Sequence, residues 1–323
     1  MKIFVMVLLF SLFTSNLHAG EMETRQQIQL EALKAFNAND FQLLEDISRH
    51  YRDDEERTES GLWKLGLFYK AFVNASLPED DSYFDFLVSK TASWMQQYPD
   101  SPTPYIVQGI IRHKQGDMHI DKRSGELVSK ENYETYLKYS HQAKDFLLKN
   151  KVIGSKDPHW YNVLANIYKG IGIDKDSYKE LIDEGTNKYP YYYEIYFAAA
   201  DYYSPRWHGS MELLEEFAKS SIEKTKEREG LGMYSRIYWS VPSDSKGRKL
   251  LIYPSVDWEL LTASMDDVLK RYPDQWNINN FAFFACQKGD VEKTRELINR
   301  IENQPIYSAW YSKGNFGYCE SIM

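Results

Sequence analysis

Pro205-Arg206-Trp207-His208-Gly209 gathers more chemistry into fewer residues than any other segment of this chain. A guanidinium can clamp a carboxylate, an indole can pack a ligand, and an imidazole can move protons near neutral pH. Asp201 and His159 are the groups that could assist His208 in an enzyme centred here. The same residues have a second reading as a rigid corner, with Trp207 buried and Arg206 holding helix carbonyls. Ser210 then caps a helix from about Met211, with Glu212 in its first turn.

Asp157-Pro158-His159-Trp160 is another helix start, with Asp157 as cap and Pro158 at the first position. Trp160 falls on an apolar face with Val163, Leu164 and Ile167. His159 and Trp160 join Arg206, Trp207 and His208 as candidate binding residues, and no residue is assigned a catalytic role. His113 and His119 are six apart, not the four that would face one metal from a helix. His-Glu-x-x-His, Cys-x-x-Cys, the Gly-x-Ser-x-Gly elbow and the nucleotide-binding glycine patterns are absent, so no metal or cofactor is expected. Gly170-Ile171-Gly172 and Gly230-Leu231-Gly232 read as helix-end caps. Tyr191 to Tyr193, with Tyr196, Tyr202 and Tyr203, suit either helix packing or the wall of a groove. Cys286 sits in an Ala-rich stretch and Cys319 near the C-terminus. In an oxidising compartment they can pair, given Cα atoms within roughly 7 Å.

The elements that must position these residues are helices. Leu62, Leu65, Tyr69, Phe72 and Val73 recur at steps of three and four. So do Trp258, Leu261, Met265, Val268 and Leu269, and again Val291, Thr294, Leu297, Ile298 and Ile301. Alternation of period two is nearly absent, and the stretch 249–253 reads as extended loop. Asn39-Asp40-Phe41, Gly116-Asp117-Met118 and Gly289-Asp290-Val291 share a joint form, a left-handed helix end followed by an Asp cap. Tyr98-Pro99, Tyr189-Pro190 and Tyr272-Pro273 mark three further breaks, because Pro disfavours helix at the residue before it. The expected fold is all-α, a tetratricopeptide-like array of helical hairpins forming an α-solenoid. Asp117 to Lys130 and Val241 to Ser255 read as loops, and the second is where the array can divide.

Met1-Lys2, the apolar run from Ile3 to Phe13 and the small Ala19 form a secretion signal over residues 1–19, followed by a helical-repeat domain over 20–323. The run is shorter than the roughly 20 residues a membrane span needs. The chain has 39 Lys and Arg against 47 Asp and Glu, a net charge of −8 that loss of Lys2 takes to −9. That balance disfavours a nucleic-acid partner, which needs clustered cations. The expected location is the periplasm or outside the cell, with no stable membrane span.

Four segments together resemble a known family. They are Leu62-Trp63-Lys64-Leu65, Asp157-Pro158-His159-Trp160-Tyr161, Tyr203-Ser204-Pro205-Arg206-Trp207-His208-Gly209, and Phe281-Ala282-Phe283-Phe284-Ala285-Cys286-Gln287-Lys288-Gly289-Asp290. With the Tyr-Pro joints they resemble the bacterial family catalogued as domain of unknown function 4034, over roughly residues 40 to 310. The resemblance implies a tetratricopeptide-like helical fold and supplies no reaction. The expected function is a scaffold in the bacterial envelope, binding a protein or peptide partner on an extended concave face. The alternative is an enzyme of unknown reaction centred on Pro205 to Gly209.

Overall fold

The computed structural model describes residues 20–74, 80–120, 128–241 and 253–323. The expected leader, the middle of the polar loop after Asp117, and residues 242–252 of the dividing loop lie outside the described residues. Among the described residues every regular element is a helix, sixteen in all, and none is long and apolar enough to cross a membrane.

The first three are α1 (Glu21–Ala38), α2 (Phe41–Asp53) and α3 (Lys64–Asn74). Then come α4 (Asp81–Gln97), α5 (Thr103–Ile120), α6 (Lys130–Lys149) and the single turn α7 (Lys151–Gly154). The middle holds α8 (His159–Ile171), α9 (Lys175–Lys188), α10 (Tyr193–Tyr203), α11 (Met211–Glu229) and α12 (Met233–Ser240). The last are α13 (Trp258–Arg271), α14 (Gln275–Lys288), α15 (Val291–Ile298) and α16 (Lys313–Ser321).

Local chemistry explains where the helices stop. Asn39 and Gly289 take left-handed φ values of 59° and 83°, and the next residues, Asp40 and Asp290, cap α2 and α15 by accepting from Leu43 N and Lys293 N. Tyr98, Tyr189 and Tyr272 end α4, α9 and α13 in one shared conformation, with φ of −130°, −132° and −130°. The proline that follows each of them holds that extended φ. The third expected joint is absent, because α5 runs without interruption through Gly116-Asp117-Met118 to Ile120. Gly116 instead serves the contact with α6, where a Cβ would stand 3.0 Å from the Tyr136 carbonyl oxygen. The last stripe is also shorter than its spacing suggests: α15 ends at Ile298, and Ile301 packs on the core from beyond it.

Neighbours in sequence are neighbours in space. α5 packs between α4 and α6, α8 against α6, α9 and α10, and α12 between α11 and α13, while α14 pairs with α15. One core runs through them, built on fully buried aromatics such as Trp94, Trp160, Tyr178 and Tyr193. Tyr192, Tyr193, Tyr196 and Tyr202 belong to it, and Tyr202 stacks on Tyr178 at 3.6 Å, so most of the tyrosine run is helix packing. Cys286 and Cys319 form a disulfide with Cα atoms 5.7 Å apart, tying α16 to α14.

The turn between α2 and α3 joins the two ends of the chain. Ser60 O accepts from Arg236 Nη2 of α12 at 2.9 Å and from Asn277 Nδ2 of α14 at 3.1 Å. Trp63 Nε1 and Arg57 Nη2 both donate to Tyr191 O, at 2.6 and 3.1 Å. Glu55 pairs with Arg228 of α11. Hollows lie on either side of these contacts, one lined by residues of α5 and α8 and another by residues of α12 and α14.

Candidate functional site

A cavity of about 380 Å³ lies between α3, α5, α6 and α8, with the corner between α10 and α11 at its rim. α5 presents Ile110, His113 and Asp117, which helical spacing sets on one face. α8 presents His159, Asn162, Val163, Asn166 and Lys169 by the same rule. Gly170 leaves room for Tyr136, whose hydroxyl would stand 1.9 Å from a Cβ at that position.

The corner is a built turn. Ser204 Oγ donates to Asp201 O at 2.7 Å, and Ser204 O accepts from Trp207 N at 3.1 Å and Gly209 N at 3.2 Å. A Cβ at Gly209 would meet the Tyr203 carbonyl oxygen at 1.9 Å, so only glycine fits. Trp207 is 42% exposed, contrary to the buried indole of the rigid-corner reading. Its ring stands over Lys169 Nζ at 4.8 Å. Lys169 is itself held by Asp201 at 2.5 Å and by Asn166 Oδ1 at 3.2 Å.

His159 is 6% exposed and lies against the apolar interior. Its ring stacks on Tyr69 at 4.3 Å, and Nδ1 is 2.7 Å from the Tyr192 hydroxyl. Tyr69 in turn donates to Asp157 Oδ2 at 2.9 Å, beside Arg52 Nη1 at 3.3 Å. Asp157 Oδ1 accepts His159 N at 2.8 Å, one residue further out than expected, since α8 begins at His159 with Pro158 rather than Asp157 in the cap position. Burial pushes His159 down to about 3, which leaves the ring neutral at physiological pH. A neutral, hydrogen-bonded imidazole of that kind is a structural part of the cavity.

His113 lies between Ser140 Oγ at 3.2 Å and Asp117 Oδ1 at 3.9 Å. Burial lowers its pKa, with Asp117 opposing the shift and Lys114 and Lys169 adding to it. The trio has the residue types of acyl transfer but not its geometry. Ser140 is fully buried at the α5–α6 contact, and the cavity wall does not include it, so a molecule in the cavity would not meet its hydroxyl.

The structure thus brings Trp207 and His159 to one cavity and leaves the other expected residues apart. Trp160 is 1% exposed, donates to Leu147 O at 3.3 Å and packs on Gly154. Arg206 is exposed, contributes its backbone N–H to Ser204 Oγ at 3.3 Å and, among the described residues, ties down no helix carbonyl. His208 is exposed and donates Nε2–H to Lys169 O at 2.9 Å, and no carboxylate among the described residues pairs with it. Asp201 pairs with Lys169 instead, so the assistance to His208 that the alternative enzyme reading gave it is not seen among the described residues.

Sequence reasoning missed His113, Asp117, Asn162, Asn166 and Lys169. Their signal was present as helical spacing on α5 and α8. Ending the helix at Gly116 separated His113 from Asp117 and hid the face they share. Among the described residues no group of three His, Cys, Asp or Glu converges as a metal site. Comparison with protein-family models, curated proteins and solved structures finds no match to this chain.

Proposed function

We propose that this chain is an exported helical-repeat protein of the tetratricopeptide-like kind, akin to the domain of unknown function 4034 family, and that it binds a peptide or protein partner. The α5–α8 cavity is its contact point. One juxtaposition carries the reading: a half-exposed Trp207, stacked on Lys169, stands at the rim of a hollow walled by Val73, Ile110 and Val163. An apolar pocket with a few convergent polar groups and an aromatic rim suits one anchoring side chain of a partner. The signal-like residues 1–19 and the acidic charge fit an exported protein that leaves nucleic acid alone.

Selection from a displayed peptide library tests the reading. Enriched peptides sharing an apolar or aromatic anchor should bind the wild type and the Arg206→Ala variant alike, and Trp207→Ala about tenfold or more weakly. Equal binding by Trp207→Ala, or no enriched anchor, overturns it. The mass of the protein recovered from its native cell tests export separately: a cytoplasmic chain retaining Met1 would remove that half of the proposal.

A further inference from the structure

A second cavity, also about 380 Å³, is walled by residues of α1, α3, α10, α12 and α14 and the turn before α3. Its lining carries three cations, Arg25, Lys70 and Arg236, beside Phe197, Trp239 and Trp276, and includes no carboxylate. Three acids lie behind the wall, and one of them, Glu194, keeps its buried Oε2 without a partner. Glu21 accepts from Thr58 and Ser60 hydroxyls at 2.8 and 2.6 Å and pairs with Arg25 at 2.6 Å. Asp274 caps α14 through Trp276 N at 2.8 Å. Glu194 is packed against Gly66, where a Cβ would stand 2.2 Å from its Oε1.

Two donors of the lining residues meet no acceptor. Arg236 Nε and Trp276 Nε1 are both shut away from solvent and both unpartnered. Arg236 is 3% exposed and held in place: its guanidinium lies 4.9 Å from the Tyr193 ring and 5.2 Å from the Tyr272 ring, while Nη2 is committed to Ser60 O. Trp276 is similarly fixed, with Arg25 over its ring at 5.3 Å. Each buried donor left unpaired costs about 1–3 kcal/mol, and charged ones more. Both belong to residues that line one hollow, with Lys70 exposed beside them, and the buried acceptors Glu194 Oε2 and Asn277 Oδ1 nearby leave them unpaired.

We propose that this cavity binds a small organic carboxylate with an aromatic or apolar body. Both N–H groups are closed in the empty chain, so entry of the ligand parts the wall around them: the carboxylate oxygens then take Arg236 Nε–H and Trp276 Nε1–H, Lys70 adds its charge, and the body lies against Phe197 and Trp239. A carboxylate offers two acceptor oxygens to the two donors, and the wall between them is aromatic, which an inorganic anion would leave bare. The site is separate from the α5–α8 cavity and stands whether or not that cavity takes a peptide.

Calorimetric titration with phenylacetate, phenylacetamide and inorganic phosphate tests the proposal, alongside the Trp276 indole N–H resonance, assigned by its loss in Trp276→Phe. Phenylacetate should bind saturably and shift that resonance. The neutral amide should bind about tenfold or more weakly, the effect of losing a charge-assisted hydrogen bond. Trp276→Phe should weaken phenylacetate binding about tenfold, and Lys70→Gln about threefold. Arg236→Gln should abolish it. Arg236 also holds the Ser60 turn, so if that variant does not fold, the other two substitutions decide. No saturable phenylacetate binding up to about 10 mM, equal binding of the amide, or phosphate binding as tightly as phenylacetate would each overturn the proposal.

Discussion

The two cavities have the same volume and opposite polar interiors. In the α5–α8 cavity the lining side chains have partners, Lys169 with Asp201 Oδ2, Asn166 with Asn162 O, Asn162 with Glu194 O and His113 with Ser140, and the unpaired atom, Asp201 Oδ1, lies behind the lining. In the α12–α14 cavity Arg236 Nε and Trp276 Nε1 have none. A satisfied wall can hold its shape empty and take a partner through an exposed rim such as Trp207. An unsatisfied wall is less stable empty and gains from an occupant that supplies what is missing. The difference teaches that volume alone does not rank two hollows and that the state of their donors does.

The cavities also differ in which ionisable group lies beside them, which makes the contrast measurable. His159, beside the first, titrates near 3 because burial disfavours its charged form. Between about 6.5 and 3 the unfolded chain binds the extra proton, so this contribution is complete above pH 6.5 and lost as pH falls. His113 acts in the same direction. The expected effect is the largest here, a few kcal/mol across that window. Urea unfolding from pH 7 to pH 4 should show a steep acid loss for the wild type and a flatter one for His159→Gln. An unchanged slope in the variant would break the assignment.

Next in size is the disulfide. Cys286 lies on α14, which walls the second cavity, and the bridge closes a separation of 33 residues. Loop closure of that length is worth about 3–4 kcal/mol. Reduction should lower the melting temperature and raise amide exchange in α14 and α16, leaving α5 and α8 protected. Equal loosening of α5 and α8 would mean that the two cavities are not separable in stability.

The smallest effect belongs to Glu194, behind the second cavity. Burial raises its carboxyl to about 7, with Arg57, Arg236 and Lys70 opposing the shift. Here the folded chain binds the extra proton, so this contribution is present at low pH and is lost as pH rises from about 4.5 through 7. Glu194→Gln should therefore unfold at higher urea than the wild type at pH 8, by about 1–2 kcal/mol, with the advantage shrinking toward pH 5. A variant less stable than the wild type at pH 8 would show that the ionised carboxylate is held by its neighbours.

Much of this architecture was legible from short-range chemistry. Asn39-Asp40 and Gly289-Asp290 gave hairpins because a left-handed residue and an Asp cap act within one turn. Tyr98, Tyr189 and Tyr272 ended helices for an equally local reason, the proline that follows each. Gly116-Asp117 misled for the converse reason. Its glycine answers to α6, twenty residues away in sequence at Tyr136, and local pattern carries no record of that neighbour. The site suffered more than the fold. Trp207 and His159 were visible as types, yet their sharing of a cavity depends on where α8 meets the corner. Arg206 and His208 looked equivalent to Trp207 in sequence, and only the hydrogen bonds of the corner turned them elsewhere.

The residues alone thus determined an all-helical chain, its capped joints and its two pairable cysteines, since period, cap and proline act over a few bonds. Tertiary structure alone decided that the Ser60 turn bonds to α12 and α14, that Lys169 commits to Asp201 while Arg236 Nε stays unpaired, and that two cavities of equal size differ in their unpaired donors. Those outcomes are pairings across the fold, from 32 residues for Lys169 and Asp201 to 217 for Ser60 and Asn277, and no local spacing encodes which distant acceptor a donor will meet.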